Sequence, residues 1–124
     1  MAKKIRITAG SVTVEAELNE TKTAQAIWDD LPIQASGSRW GDEIYFGIPS
    51  HGELEDATEV VEVGGLGFWP PGNAFCIFFG PTPASRGSEP RAASAVTVVG
   101  KVVGDAAVLR EVPSGAQVTI EKVD

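Results

Sequence analysis

Short strand patterns recur at a spacing of about ten residues along nearly the whole chain, and this repetition constrains the fold more than any other feature. About seven to nine such segments can be distinguished, separated by glycine, proline and polar residues, while a single segment has a helical period. Many short strands with regular turn signals and one helix are typical of β-barrels. The chain is therefore predicted to be mainly β, as a closed or nearly closed barrel.

The segment VTVEAEL (12–18) shows the alternation of a strand with one face in water. Its apolar residues would share the buried face: Val12, Val14, Ala16 and Leu18. The preceding run KKIRIT (3–8) is also strand-like, and AGS lies between the two runs. This arrangement predicts a hairpin at the start of the fold.

The segment NETKTAQAIWDDLP (19–32) changes to the period of an amphipathic helix. Its apolar side chains recur at i, i+3, i+4 and i+7: Ala24, Ile27, Trp28 and Leu31. Asn19 or Thr21 can cap the start of this helix, and Pro32 would end it. It is the one short α-helix that the sequence predicts.

The stretch GFWPPGNAFCIFFGPTPAS (67–85) holds four of the five phenylalanines and the single cysteine. Strict alternation is lost in its middle, which predicts a strand buried on both faces. Pro71 and Gly72 suit the central positions of a type II turn, so Phe68-Trp69 and 75–79 are predicted to form a hairpin. The loop GPTPASRGSEPRAA (80–93) is long and polar, and the sequence leaves open whether it is functional or mobile.

Length and charge exclude several classes of function. A chain of 124 residues predicts one domain, 1–124. Its net charge of −7 would repel phosphate backbones, so we expect no nucleic-acid binding. No apolar run approaches the ~18 residues of a membrane span, and the N-terminus lacks the apolar core of a signal peptide. One cysteine cannot form an internal disulfide, so we expect a cytoplasmic protein. The sequence does not define its oligomeric state.

No catalytic constellation stands out in the sequence. Cys76 lies in the apolar run AFCIFF without a basic neighbour, which favours a buried, unreactive thiol. His51 could be oriented by Glu53, Glu55 or Asp56, but no nucleophile is positioned beside it, and an exposed loop histidine is favoured. Three or four metal ligands at workable spacing are lacking. We therefore expect no catalytic residues, no metal and no cofactor.

The segment SRWGDEIYFGIP (38–49) offers polar and aromatic groups close together. A strand over 43–48 would bury one set of side chains: Ile44, Phe46 and Ile48. Glu43 and Tyr45 would face the other way, either into solvent, which is the commoner outcome, or into one wall of a cleft. Near Trp40, a hydroxyl and a carboxylate would suit a polar ligand in an apolar groove.

Three strings resemble a family of small bacterial and archaeal proteins with a cyclophilin-like fold: WGDEIYFGIP (40–49), VEVGGLGFWPPGNAFCIFFGPTPAS (61–85) and VVGKV (98–102). The resemblance covers nearly the whole chain, in matching order. It implies a closed antiparallel barrel of about eight strands with a helix near one end. The family was long classed as a domain of unknown function, so the resemblance implies no particular activity.

True cyclophilins are peptidyl-prolyl isomerases that place an arginine guanidinium near the prolyl nitrogen. Their motifs F-H-R-[IV] and Q-G-G-D do not occur in this chain. Arg39 is the only arginine in a comparable region, and it lacks the preceding Phe-His. Isomerase activity is therefore not implied residue by residue.

Two functions from different classes remain open. One is a non-catalytic module that binds a small molecule or short peptide in an aromatic cleft. The other is an enzyme, either a divergent prolyl isomerase or another activity on the same fold. The residues that we expect to line a cleft are Arg39, Trp40, Glu43, Tyr45, Trp69, Thr82 and Ser85.

Overall fold

Ten strands form the sheet in the computed structural model, which describes residues 3–123. They are β1 (Lys3–Ala9), β2 (Val12–Leu18), β3 (Ile33–Ser36), β4 (Ser38–Arg39), β5 (Glu43–Gly47), β6 (Thr58–Val60), β7 (Gly65–Trp69), β8 (Ala74–Phe78), β9 (Arg91–Val103) and β10 (Gln117–Lys122). The helix α1 spans Lys22–Asp30, and 3₁₀ turns span Pro70–Gly72 and Ala106–Glu111. The predicted mainly β fold is confirmed, with ten strands instead of about eight because several are very short.

The sheet runs through neighbouring strands in the order β3-β10-β1-β2-β9-β7-β8-β5-β4, and β6 pairs with β9. All of these pairs are antiparallel. The two ends of the path, β3 and β4, are separated in the chain by Gly37 alone. The predicted closed barrel needs one correction, because the described strands do not form a closed ladder. The path returns to its start through the backbone at Gly37.

The predicted helix and the first hairpin are both confirmed. β1 pairs with β2 along its full length. The Thr21 hydroxyl caps α1 by accepting a hydrogen bond from the Ala24 amide at 3.1 Å, and the Asn19 side chain accepts one from the Thr21 amide. The helix ends before Pro32. No helix among the described residues is both long enough and apolar enough to cross a membrane.

Buried side chains form two clusters, one on each face of β8. Phe75 and Ile77 belong to the larger cluster, which also contains the inward side chains of β1, β2 and β10. Its counterpart, here called the smaller cluster, contains Val61, Ala74, Cys76, Phe78, Ala92 and Val96. The prediction that β8 is buried on both faces is therefore confirmed.

The hairpin between β7 and β8 is confirmed, but its turn is not type II. Pro70–Gly72 forms a 3₁₀ turn, and Asn73 instead of Gly72 has a left-handed conformation, with φ of 47°. Asparagine tolerates this conformation better than most residues. The side-chain amide of Asn73 (Nδ2) also donates hydrogen bonds to the backbone carbonyls of Ile48 and Ser50, each at 2.6 Å. These long-range bonds were not visible in the local sequence.

Candidate ligand-binding cleft

A cleft of about 250 Å³ opens on the face of the sheet that carries the smaller cluster. It lies between β5 and β8 on one side and the first half of β9 on the other. The lining residues are Trp40, Glu43, Tyr45, Trp69, Cys76, Ala92, Ala93 and Val96. Four of the seven residues predicted to line a cleft are thus brought together, namely Trp40, Glu43, Tyr45 and Trp69.

Strand register explains how these side chains meet. Glu43 and Tyr45 alternate along β5 and therefore project from the same face. Tyr45 lies opposite Cys76 on β8, and Cys76 lies opposite Gly67 on β7. A Cβ at Gly67 would lie 3.1 Å from a methyl of Val96 on β9. Glycine at this position therefore leaves room for the Val96 side chain. Val96 itself lines the cleft.

Glu43 is the charged side chain of the cleft, and only 5% of the residue is exposed. Burial raises its pKa from 4.5 to about 7, because the ionised form loses its hydration. The neighbouring Cys76 thiol has the smaller and opposite effect on this pKa. Both protonation states of Glu43 are therefore populated near neutral pH.

The aromatic side chains are held in different ways. The indole N–H of Trp69 donates to the Ser94 hydroxyl at 2.6 Å, and Gly72 packs against the Trp69 ring. The Trp40 backbone N–H donates to the Glu43 carbonyl at 2.9 Å, which fixes the turn before β5. Tyr45 is 38% exposed. The cleft therefore combines an anchored indole with a more accessible phenol.

Arg39 was predicted to line the cleft, but the structure places it elsewhere. Its guanidinium donates to the carbonyls of Val112 at 2.7 Å and of Arg110 at 3.2 Å, and pairs with Asp42 at 3.4 Å. It also lies 5.0 Å from the centre of the Phe79 ring. These contacts attach the turn before β5 to the segment that precedes β10, which is a structural role.

Thr82 and Ser85 also lie outside the cleft, because their hydroxyls close the loop between β8 and β9. The Thr82 hydroxyl donates to the Arg91 carbonyl, and the Ser85 hydroxyl donates to the Glu89 carbonyl and accepts from the Thr82 amide. Such bonds between hydroxyls and nearby backbone are common in tight loops. The Glu89 carboxylate adds bonds to two further amides of this loop.

Of the remaining candidates, Cys76 lines the cleft and His51 lies outside it. Cys76 is buried, as predicted, and burial raises the pKa of its thiol well above the ordinary value. His51 is exposed beside the start of α1, where the Glu55 carboxylate accepts the amides of Lys22 and Thr23. Within residues 3–123, histidine, cysteine and carboxylate side chains form no group of three that could hold a metal ion.

The sequence profile of the cyclophilin-like family matches residues 3–121. The chain belongs to the cyclophilin-like family. The solution structure of a hypothetical protein from Archaeoglobus fulgidus is similar to it, with 41% sequence identity and a TM-score of 0.82 over 98% of this chain and 95% of that chain. No curated protein shows significant similarity to the chain. The cyclophilin-like resemblance seen in the sequence is therefore confirmed. Neither the family description nor the name of the archaeal protein specifies an activity.

Sequence reasoning missed half of the lining of this cyclophilin-like cleft. Ala92, Ala93 and Val96 are small apolar residues of β9, and nothing in their chemistry separates them from ordinary strand residues. Cys76 was predicted to be buried, but its position in the cleft depends on the pairing of β8 with β5. The strand alternation of Cys76 with Phe75 and Ile77 could have shown that it faces away from the larger cluster.

Proposed function

We propose that this cyclophilin-like protein binds a small molecule or a short peptide in the cleft and does not isomerise prolyl bonds. The observation that carries the proposal is the convergence of three aromatic side chains and one buried carboxyl group on a single concave site. Ligand sites are commonly concave and mostly apolar, with a few polar groups that fix orientation. The volume of about 250 Å³ lies just below the usual range of ~300–1,000 Å³, so it suits a small ligand or one peptide side chain.

The contacts of Arg39 support the proposal that the protein does not isomerise prolyl bonds. A prolyl isomerase needs a donor aimed at the prolyl nitrogen in the twisted transition state. The Arg39 side chain is 24% exposed, and the hydrogen bonds of its guanidinium go to backbone carbonyls and to Asp42. It would have to give up these bonds to reach a substrate.

A second candidate function is an enzyme that uses Glu43 as a general acid or base. A group with a pKa near the working pH is efficient in proton transfer, and the pKa of Glu43 is about 7. The Cys76 thiol in the same cleft is a poor nucleophile, because burial raises its pKa. We therefore place this candidate second.

The three tryptophans provide a direct test of ligand binding. Trp40 and Trp69 line the cleft, whereas Trp28 lies on α1 beside Lys122. Emission spectra would be recorded against a panel of small aromatic and aliphatic acids, amines, alcohols and X-Pro peptides. We expect a saturable change with at least one compound, which Trp28→Phe preserves and Trp40→Phe or Trp69→Phe reduces. A panel that leaves the emission unchanged, with no chemical-shift change for the lining residues, would contradict the proposal.

A further inference from the structure

We infer that the cleft recognises an organic ammonium group, with Trp40, Tyr45 and Trp69 around the alkyl substituents and Glu43 as the counter-charge. This inference rests on the proposed function, because it names the class of ligand for the same cleft. Aromatic side chains grouped around one site are the usual means of binding alkylated ammonium ions. A carboxylate in the same site adds the charge that selects a cation.

Glu43 lacks a cationic partner among the described residues. None of the ion pairs within residues 3–123 includes it. The two arginines that adjoin lining residues in the sequence are paired elsewhere, Arg39 with Asp42 and Arg91 with Glu59 and Glu89. A buried charge without a partner is costly, so a ligand cation would provide the missing interaction.

The lining favours an organic cation over a metal ion. A hard metal cation such as Ca²⁺ or Mg²⁺ takes about six or more oxygen ligands, whereas this cleft offers one carboxylate and one phenol. Its other walls are two indoles, a thiol and small aliphatic side chains. An alkylated ammonium ion carries its charge under apolar groups and gains from contact with aromatic rings. The residues therefore match a methylated or alkylated amine.

Binding of such a cation should depend on pH through Glu43. The other titratable groups that face Glu43 within the cleft are Tyr45 on β5 and Cys76 on β8, while β7 and β9 supply only an indole and aliphatic side chains to its lining. A bound cation holds Glu43 ionised and therefore displaces its proton. Because the pKa of free Glu43 is about 7, affinity should rise about tenfold per pH unit below pH 7 and level off above it.

The decisive comparison uses choline and its uncharged carbon isostere, 3,3-dimethylbutan-1-ol, with the whole chain and tryptophan fluorescence or calorimetry as the readout. We expect choline to bind at least about tenfold more tightly than the isostere at pH 8, with the difference lost at pH 5. A peptide carrying trimethyllysine, set against the same peptide with leucine, distinguishes a free ammonium compound from a protein side chain. Preference for either ammonium probe over its neutral control supports the inference.

Glu43→Gln should reduce choline affinity at pH 8 by about tenfold or more and remove the pH dependence. Glu53→Gln and His51→Gln, both outside the cleft, should leave the affinity and its pH profile unchanged. Equal binding of choline and its isostere to the wild-type protein would overturn the ammonium inference and leave the proposed function standing. The same holds if neither ammonium probe nor any amine of the panel binds but another compound of the panel does. If no compound binds at all, both proposals fail.

Discussion

Cys76 on β8 and Glu43 on β5 line the same cleft from neighbouring strands. The two residues are diagonal neighbours in the antiparallel pair, since Glu43 lies opposite Phe78 and Cys76 lies opposite Tyr45. Burial raises the pKa of the thiol most, and the negative charge of the carboxylate raises it further. The thiol in turn offsets part of the increase that burial causes in the pKa of Glu43. Glu43 and Cys76 therefore affect each other's ionisation.

Glu43 should make the protein less stable as the pH rises from about 4.5 to 7. In the folded chain its pKa is about 7, above the ordinary value of 4.5, so between these values the folded chain holds a proton that the unfolded chain has lost. Stability falls through this window, by on the order of 3 kcal/mol in all. We expect Glu43→Gln to gain stability relative to wild type as the pH rises, measured by urea melts at several pH values. A constant difference between the two proteins would contradict this.

Cys76 should react slowly in the folded protein. The residue is 2% exposed and burial raises the pKa of its thiol, so the reactive thiolate is scarce. We expect labelling by a thiol reagent to be much slower in buffer than in denaturing urea, and Glu43→Gln to accelerate it by removing the nearby charge. Labelling at the rate of a free cysteine in the native protein would show that this side of the cleft is open.

The fold could be predicted to a large extent because its signals are local. The alternation in β2, the helical period before Pro32 and the loss of alternation around Cys76 each correspond to an observed element. Turn geometry was less predictable: the left-handed residue is Asn73, and its amide bonds to Ile48 and Ser50 come from a distant part of the chain. Pairings of this kind cannot be inferred from a local pattern.

The cleft was predictable only where chemistry marked it. Glu43 and Tyr45 could be placed on one face of a strand from their spacing alone. The polarity of Thr82 and Ser85 on a proline-rich loop predicts ligand contacts, yet their hydroxyls satisfy that loop's own backbone. Polarity in a sequence does not distinguish a side chain that binds a ligand from one that closes a loop.

Phe78→Ala should destabilise the protein by roughly 3–5 kcal/mol through a cavity in the smaller cluster. Phe78 is fully buried, and its ring packs near Gly67 on β7, close to Val96 of β9. The matched control is Val103→Ala on β9, where the side chain is 55% exposed and the change should stay within about 0.5 kcal/mol. Urea melts measure both. A loss below about 1 kcal/mol for Phe78→Ala would contradict the packing described for this cluster.

Gly72→Ala should displace the Trp69 ring. A Cβ at position 72 would lie 2.9 Å from Cζ3 of Trp69, closer than real contacts allow, and the Ser94 hydrogen bond opposes a shift of the ring. We expect a change in tryptophan emission and weaker binding of any ligand found for the cleft. Gly47→Ala, where a Cβ would meet no atom within 4 Å, is the control and should leave both unchanged. Identical spectra for wild type and Gly72→Ala would show that Trp69 is not held in this way.

Arg39 should stabilise the fold without catalysing prolyl isomerisation. The uncatalysed rotation crosses a barrier of ~18–20 kcal/mol, and lowering it requires a donor that is free to bind the twisted amide. The Arg39 donors are occupied by the carbonyls of Val112 and Arg110 and by Asp42.

We therefore expect no acceleration in a proline-peptide isomerisation assay in which a true cyclophilin serves as the positive control. Arg39→Ala should lower the free energy of unfolding by roughly 1–3 kcal/mol, because the carbonyls of Arg110 and Val112 lose their hydrogen-bond donor. Arg86→Ala, at an exposed position of the loop between β8 and β9, should change stability by less than about 0.5 kcal/mol. Acceleration close to that of the cyclophilin, abolished by Arg39→Ala but kept by Arg86→Ala, would mean that Arg39 leaves its carbonyl partners during turnover. The protein would then be an isomerase, and the binding proposal would have to be replaced.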